Sequence, residues 1–255
     1  MITGYNFPEG VQYKLRYSIG WDFYDSSIKL PPDMKYGFVF KPIVTIKLWD
    51  ASNVNDMSYM FQSCTYLTSI PLLNTSKVTN MDNMFRTCSS LTSIPQLDTS
   101  KVTKLSNAFY DCTSLTSIPQ LDTSKVTTIE SMLSNCTSLT SIPLLDCSSI
   151  RVGSYGIFGY YTLSGLTDIG GFKNLKASWT NYFLDKVPNA TVESLMNVIN
   201  NLWDWTDYPN GKVTNPDGVE VSYGTTHTLK FGTTNLNKLT AEQKAVATNK
   251  GWTLS

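Results

Sequence analysis

Cys64, Cys88, Cys112 and Cys136 lie 24 residues apart, and the same step recurs in four other residue types. Leu67, Leu91, Leu115 and Leu139 keep it, as do Ile70, Ile94, Ile118 and Ile142 and the prolines Pro71, Pro95, Pro119 and Pro143. Val54, Val78, Val102 and Val126 complete the register. Self-similarity at one short fixed period leaves few architectures open, because a single unit cannot bury its own apolar face and has to stack on copies of itself. The copies are 51–74, 75–98, 99–122 and 123–146.

The ends of the array drift. Ile46-Lys47-Leu48-Trp49-Asp50 matches the tail of a copy, so half a coil precedes the first full one. Beyond Asp146 the pattern degenerates into a fifth copy over 147–172, and its Leu-Thr-x-Ile, at Leu166 to Ile169, arrives three residues late. Terminal repeats that leave consensus are the usual means of closing a solenoid.

Two periods alternate within a copy. Met81, Met84 and Phe85 stand at i, i+3 and i+4, as do Leu105, Ala108 and Phe109, and Ile129, Met132 and Leu133, which predicts a short helical turn in each coil. Leu-Thr-Ser-Ile then reads as a short extended segment. Asn74, Asp98, Asp122 and Asp146 head polar corners in which short side chains bond local N–H groups. Stacked at about 4.8 Å, the extended segments pair in parallel. The proline after each Ile has no N–H to donate, so these strands are expected to be very short. Leu72, Gln96, Gln120 and Leu144 share one register position, and its change from Leu to Gln marks it as partly exposed. The fold class is therefore α/β: a solenoid of short parallel strands and short helical turns.

Ala108-Phe109-Tyr110-Asp111-Cys112-Thr113-Ser114-Leu115-Thr116-Ser117-Ile118 resembles the A-F-x-x-C-x-x-L-x-x-I repeat of BspA-like leucine-rich-repeat surface proteins, found in gut Bacteroidetes and their phages. The corners at Asp98 to Val102 and Asp122 to Val126, and Val78-Thr79-Asn80-Met81 followed by Met84-Phe85, look like that family's D-T-S-x-V-x-x-M-x-x-M-F variant. The resemblance is firm over about 46–146 and looser to about 176. It implies a leucine-rich-repeat solenoid used for adhesion or binding, without fixed ligand residues and without catalysis.

On this reading 46–176 is the solenoid, 1–45 an N-terminal β cap or docking segment, and 177–255 a C-terminal cap. Val11 to Ile19 alternates, as does Phe38-Val39-Phe40 leading into Ile43 to Ile46, with Pro31-Pro32-Asp33 as a turn between them. In the C-terminal part, a helix capped by Thr191 is expected over 191 to about 203, with Leu195, Val198, Ile199 and Leu202 as its apolar stripe. A polar loop follows over 207–218, then a strand at 228–231. A second helix runs from Thr240 to about Lys250, stopped by Gly251, with Ala241, Ala245 and Val246 facing the last coil.

Twenty basic residues balance twenty acidic ones in this 255-residue chain, and no Lys/Arg cluster stands out. Such a chain has no field to draw it onto phosphate backbones or anionic lipid, so nucleic acid is not an expected partner. No run approaches the roughly 20 apolar residues of a membrane span, and the N-terminus lacks the basic start and apolar stretch of a secretory signal. An extracellular location, on a cell surface or a virion, is expected from the resemblance. A virion component reaches it without a signal, and a cell-surface protein reaches it with a signal peptide that has been trimmed from this sequence.

Nothing in the residues organises catalysis. The 24-residue cysteine step is no metal-ligand spacing, and the thiols read as small buried hydrophobes, with Cys147 the one placed to be reachable. His227, the sole histidine, reads as a surface or cap residue; no G-x-S-x-G elbow accompanies it. Gly153, Gly156 and Gly159 match no phosphate-binding context. No cofactor or metal is expected.

Two surfaces are candidates for binding. One is the hydroxyl ladder of Thr68, Thr92, Thr116 and Thr140 with Ser69, Ser93, Ser117 and Ser141, which suits either a ligand face or plain solvation. The other is the aromatic crowd after the fourth copy: Tyr155, Phe158, Tyr160, Tyr161, Trp179, Tyr182, Phe183, Trp203, Trp205 and Tyr208. Such rings serve either to seal the end or to recognise a sugar or peptide, with Tyr160, Tyr161 and Trp205 singled out. The function expected is a non-enzymatic adhesion module for a surface glycan or protein. The alternative is a structural virion protein contacting its neighbours.

Overall fold

In the computed structural model, one threonine per coil carries the stacking. Thr92 N–H donates to the Thr68 carbonyl at 3.1 Å, Thr116 to Thr92 at 3.2 Å, and Thr140 to Thr116 at 3.1 Å. The line extends back from Thr68 to Val44 and forward through Thr167 to Thr191. The structure describes residues 13–16, 20–23, 30, 32–40, 42–46, 50–150, 156–176, 183–214, 220–222 and 226–255. The Thr140-to-Thr167 step is three residues longer than the others, as the late Leu-Thr-x-Ile requires.

Pairing along this line is sparse. Asp33, Asp56, Asn80, Lys104 and Thr128 form successive isolated parallel bridges, and Ser117 bridges Ser141. Among the described residues, two-residue strands form where the array ends. β4 (Ser141–Ile142) pairs with β6 (Asp168–Ile169), and β5 (Leu145–Asp146) with β7 (Phe172–Lys173), all in parallel. Pro71, Pro95, Pro119 and Pro143 interrupt each extended segment by removing a donor, so the strands stay as short as the sequence predicts.

The expected helical turns do not form within copies 51–146. Each i, i+3, i+4 stripe instead lies on consecutive tight turns. Met84 N–H donates to the Met81 carbonyl at 3.2 Å, Arg86 to Asn83 at 3.1 Å, and Cys88 to Phe85 at 3.0 Å. Between them, Met81, Asn83, Phe85 and Thr87 send their N–H groups to the next coil, to the carbonyls of Lys104, Ser106, Ala108 and Tyr110 at 2.6–3.0 Å. Left-handed residues cause this alternation: Asn83 has φ 57° and Thr87 φ 60°, and Asn107, Asp111, Ser131 and Asn135 repeat the pattern. A helix would point every N–H along its own axis. Left-handed residues in each coil turn alternate peptides outward, so the backbone stacks as a ladder.

The interior is a set of columns. Phe38, Phe61, Phe85 and Phe109 stack ring on ring at 5.7, 5.5 and 5.6 Å, with interplanar angles of 7–9°. Val54, Val78, Val102 and Val126 are fully buried, as are the leucines at 67, 91, 115 and 139. Each such side chain contributes about 1.5–3 kcal/mol on burial. Beside the phenyl column, Cys64, Cys88, Cys112 and Cys136 are buried, and each Sγ donates to the carbonyl of the phenylalanine one coil back at 3.0–3.1 Å. All five cysteines are buried and outside any disulfide, including Cys147, which the sequence places within reach of solvent.

Stacking begins before residue 46. Phe38, Val39 and Phe40, expected in a strand, lie in the turns of an earlier coil, with Phe38 N–H on the Met60 carbonyl at 2.7 Å and Phe40 N–H on Gln62 at 2.8 Å. Preceding this coil, β1 (Tyr13–Arg16) pairs antiparallel with β2 (Gly20–Phe23), and β2 pairs in parallel with β3 (Ile43–Ile46).

At the other end, α1 (Val192–Asn200) takes the place of a coil. Thr191 caps it by accepting from Ser194 N–H, and Leu195, Val198 and Ile199 are buried on its inner side. Where a loop is expected at 207–218, β8 (Lys212–Thr214) pairs antiparallel with β9 (Glu220–Ser222). Then follow β10 (His227–Leu229), α2 (Gly232–Leu236), α3 (Ala241–Asn249) and β11 (Trp252–Leu254), with β10 and β11 parallel. Thr240 and Gln243 make a reciprocal capping box on α3, and Gly251, at φ 79°, ends it. The inner face of α3 differs from expectation. Ala247 is its buried residue, while Ala241 is exposed and Ala245 and Val246 half-buried.

Candidate binding surface

After Pro71, Pro95 and Pro119 the chain runs outward to one exposed position and then turns in. Repetition of that path carves a groove of about 750 Å³ along the solenoid. Leu72, Gln96 and Gln120 line it, with Asn74, Asp98 and Asp122 from the corners. Leu72 is 68% exposed, a large apolar side chain left in water. Gln96 and Gln120 are fixed across the groove, their Nε2 atoms donating to the carbonyls of Gln120 and Leu144 at 2.5 and 2.7 Å. The amide oxygens are not used by those bonds. The Asp98 and Asp122 carboxyls are held below the usual carboxylate range by the Ser100 and Ser124 hydroxyls and then by the same residues' N–H groups. The groove thus offers ionised acceptors, amide oxygens and one apolar contact at coil spacing.

The hydroxyl ladder lies just upstream of these positions. Thr68, Thr92, Thr116 and Thr140 are exposed, as are Ser69, Ser93 and Ser117, while Ser141 is half-buried. The threonine hydroxyls spend their protons internally: Thr92, Thr116 and Thr140 Oγ1 donate to the preceding threonine carbonyl at 3.2–3.3 Å, and Thr68 Oγ1 to Val44 at 3.5 Å. What they present outward is acceptor lone pairs.

The aromatic crowd divides. Phe158 and Phe183 are buried and stacked 6.0 Å apart, so they fill the interior. Trp205 is only 3% exposed, its ring lying parallel to His227 at 3.8 Å. Its face is covered, which removes it from the candidate binding residues. Tyr160 and Tyr161 are 56% and 44% exposed, and Tyr161 meets Tyr110 edge-on at 6.4 Å. Tyr155, Trp179, Tyr182 and Gly153 lie outside the described residues.

His227 is buried, not on the surface. It sits between Trp205 and Trp252, its Nδ1 without a hydrogen-bond partner, and burial lowers its pKa. Among the described residues no group of three or more His, Cys, Asp or Glu side chains is placed to hold a metal ion, and no helix is long and apolar enough to cross a membrane.

A 24-residue coil, an inward Leu/Ile/Phe/Cys column and one bridge per turn define a leucine-rich-repeat solenoid. Residues 33–144 match the family described as "Mycoplasma protein of unknown function, DUF285", and the repeats resemble the BspA-like kind. No curated protein matches the chain. Among solved structures it is similar to a leucine-rich-repeat protein of T. pallidum at 14% identity, over 72% of this chain and 90% of that one, with a TM-score of 0.39. It is similar to a leucine-rich-repeat protein of Bacteroides ovatus at 15% identity, over 70% and 58%, with a TM-score of 0.34. A leucine-rich cell surface protein of Faecalibacterium prausnitzii matches at 15% identity, over 89% and 64%, with a TM-score of 0.35. The chain spans less than two thirds of the length of the last two.

Proposed function

We propose that this protein is a non-enzymatic adhesion module of a cell surface, holding an extended glycan or protein ligand along the solenoid axis in the groove lined by Leu72, Gln96 and Gln120. The observation that carries this reading is the groove's own periodicity. Gln96 with Asp98 and Gln120 with Asp122 repeat one set of acceptors on two successive coils, and Leu72 with Asn74 sets an apolar contact and a neutral amide at the same spacing on the coil before them. The exposed Ser69, Ser93 and Ser117 hydroxyls flank the groove in sequence and extend that acceptor surface. The comparisons give no support to a virion role, and that alternative is set aside.

Arrays of surface glycans and extracellular-matrix proteins test the proposal, using the wild-type chain beside Leu72→Arg and Gln120→Arg. Both positions are exposed, so neither substitution empties the core. Retention of a ligand by the wild type and its loss in both variants is the expected result. Equal retention by all three chains overturns the groove reading.

A further inference from the structure

The two glutamine coils bring side-chain donors to the groove and then occupy them internally. Gln96 Nε2 donates to the carbonyls of both Gln120 and Leu97, and Gln120 Nε2 to those of Leu144 and Leu121, so both amide hydrogens of each residue are taken. The Thr99 hydroxyl donates to the Asp122 carbonyl at 2.9 Å, and the Ser100 hydroxyl to the Asp98 carboxylate at 2.7 Å. What these side chains leave facing a ligand is oxygen. Each glutamine presents its Oε1, and each aspartate an Oδ2 that accepts no hydrogen bond from the described residues.

Charge at the groove is equally one-sided. No lysine or arginine lines it, and among the described residues none forms an ion pair with Asp98 or Asp122. Lys101 and Lys125 stand three residues further along each coil, and they act on the two carboxylates more weakly than the Ser100 and Ser124 bonds do. Asp98 in turn repels Asp122 across one coil. The groove therefore holds two ionised carboxylates without a cation between them.

We infer that the groove takes an extended polypeptide segment bearing two arginines, with an apolar residue of that segment against Leu72. This inference rests on the groove reading above and names its occupant. Gln96 and Asp98 are both exposed and two residues apart, as are Gln120 and Asp122, and in an extended segment that spacing puts both side chains on one face. A guanidinium matches such a pair: it carries five donors in a planar fork and no acceptor, so it can meet a carboxylate and still send an N–H to a neighbouring amide oxygen. A lysine ammonium is a point charge with three donors and spans the pair less well. A neutral sugar supplies hydroxyl donors but leaves both carboxylates covered and uncompensated, which is costly. An extended peptide carries alternate side chains on one face about 6.6–6.8 Å apart, and the long arginine stems take up the difference from a coil step of about 4.8 Å. Leu72, 68% exposed on the preceding coil, meets the apolar residue.

Fluorescence anisotropy with labelled Gly/Ser peptides carrying a leucine and two arginines at alternate positions tests this. Matched peptides replace both arginines by citrulline, which keeps the shape and removes the charge, or by lysine; a glucosamine oligosaccharide is the competing cationic probe. The wild type is compared with the double variant Asp98→Asn, Asp122→Asn. Asn74 already forms the same corner, accepting both the N–H and the hydroxyl of Ser76, so the corners survive the change. The wild type should bind the arginine peptide. Citrulline, and separately the double variant, should each weaken binding about tenfold or more, since charged hydrogen bonds are lost. The lysine peptide should bind less tightly than the arginine peptide. Equal binding of the citrulline or lysine peptide by the wild type, equal binding by the double variant, or binding of the oligosaccharide with the arginine peptide ignored overturns the inference. The citrulline comparison uses the wild type alone, so it decides even if the variant is misfolded. An array ligand that is lost in Leu72→Arg and Gln120→Arg, with no binding of the arginine peptide, overturns this inference and leaves the groove standing. Arginine-peptide binding that both of those variants retain overturns the groove, and this inference with it.

Discussion

The Cys112 thiol donates to the carbonyl of Phe85, 3.1 Å away and 27 residues earlier. That carbonyl already accepts Cys88 N–H at 3.0 Å, so one oxygen ties together a turn within its own coil and a side chain of the next. The bond is remade at Cys64, Cys88 and Cys136, which makes the cysteine column a chain of buried donors and removes the thiols from chemistry.

Those thiols give the protein an alkaline limit. Burial pushes Cys136 up to about 12 and holds Cys88, Cys112 and Cys147 above the ordinary thiol range. An unfolded chain ionises its thiols from about pH 8.5, while the folded chain keeps these protons. Stability is therefore complete below that pH and falls as pH rises toward 12, by about 1.4 kcal/mol per pH unit for each such thiol. Urea midpoints at pH 7.5 and 10 measure the loss. A native chain that reacts with a thiol reagent at pH 8 contradicts it.

The phenyl column is the second support. Phe85 is 1% exposed and stacks on both Phe61 and Phe109. Phe85→Ala costs about 3–5 kcal/mol through the lost contacts and the cavity left behind. Phe85→Leu, which keeps most of the volume, costs roughly 1 kcal/mol. Equilibrium urea unfolding distinguishes the two.

Thr87 carries a β-branched side chain at φ 60°. Asn135 occupies an equivalent place two coils on, so Thr87→Asn brings in a residue that the coil already accommodates. A gain of about 0.5–1 kcal/mol is expected from relief of left-handed strain. Asn107→Val should move the urea midpoint the other way, by about 1–2 kcal/mol.

His227 sets the acid limit. Burial against Trp205 and Trp252 lowers its pKa, so the folded chain holds it neutral where the unfolded chain is protonated. Its contribution is present above about pH 6.5 and is lost as pH falls from there toward its folded value. Replacement by Phe should flatten this acid branch in a thermal melt series from pH 7 to 4.

Much of this architecture is legible in the residues, and the misses have physical reasons. A strict 24-residue step gives the register, the buried columns and the short strands, because in-register stacking leaves little else for Val78, Cys88 or Leu91 to do. The earlier coil escapes notice because it is one residue shorter, although Met34-Lys35-Tyr36-Gly37-Phe38 against Met57-Ser58-Tyr59-Met60-Phe61 carries the signal. Helical turns are misread because i, i+3, i+4 spacing suits both a helix and a run of tight turns; the recurring Asn at 83, 107 and 135 is what separates them. The groove is half legible, as an exposed Leu/Gln column, but its shape depends on how each coil turns after its proline. Trp205 is lost as a surface ring because His227, twenty-two residues away in sequence, covers it.

Removal of one whole coil tests the stacked register most directly. A chain lacking 99–122 should join Asp98 to Thr123, unfold in a single cooperative urea transition and keep its four remaining thiols unreactive at pH 8, while a chain lacking only 99–110 should not fold. If the whole-coil deletion exposes its thiols or loses its cooperative transition, or if the half-coil deletion is just as stable, side chains one period apart do not share an interior and the account is wrong.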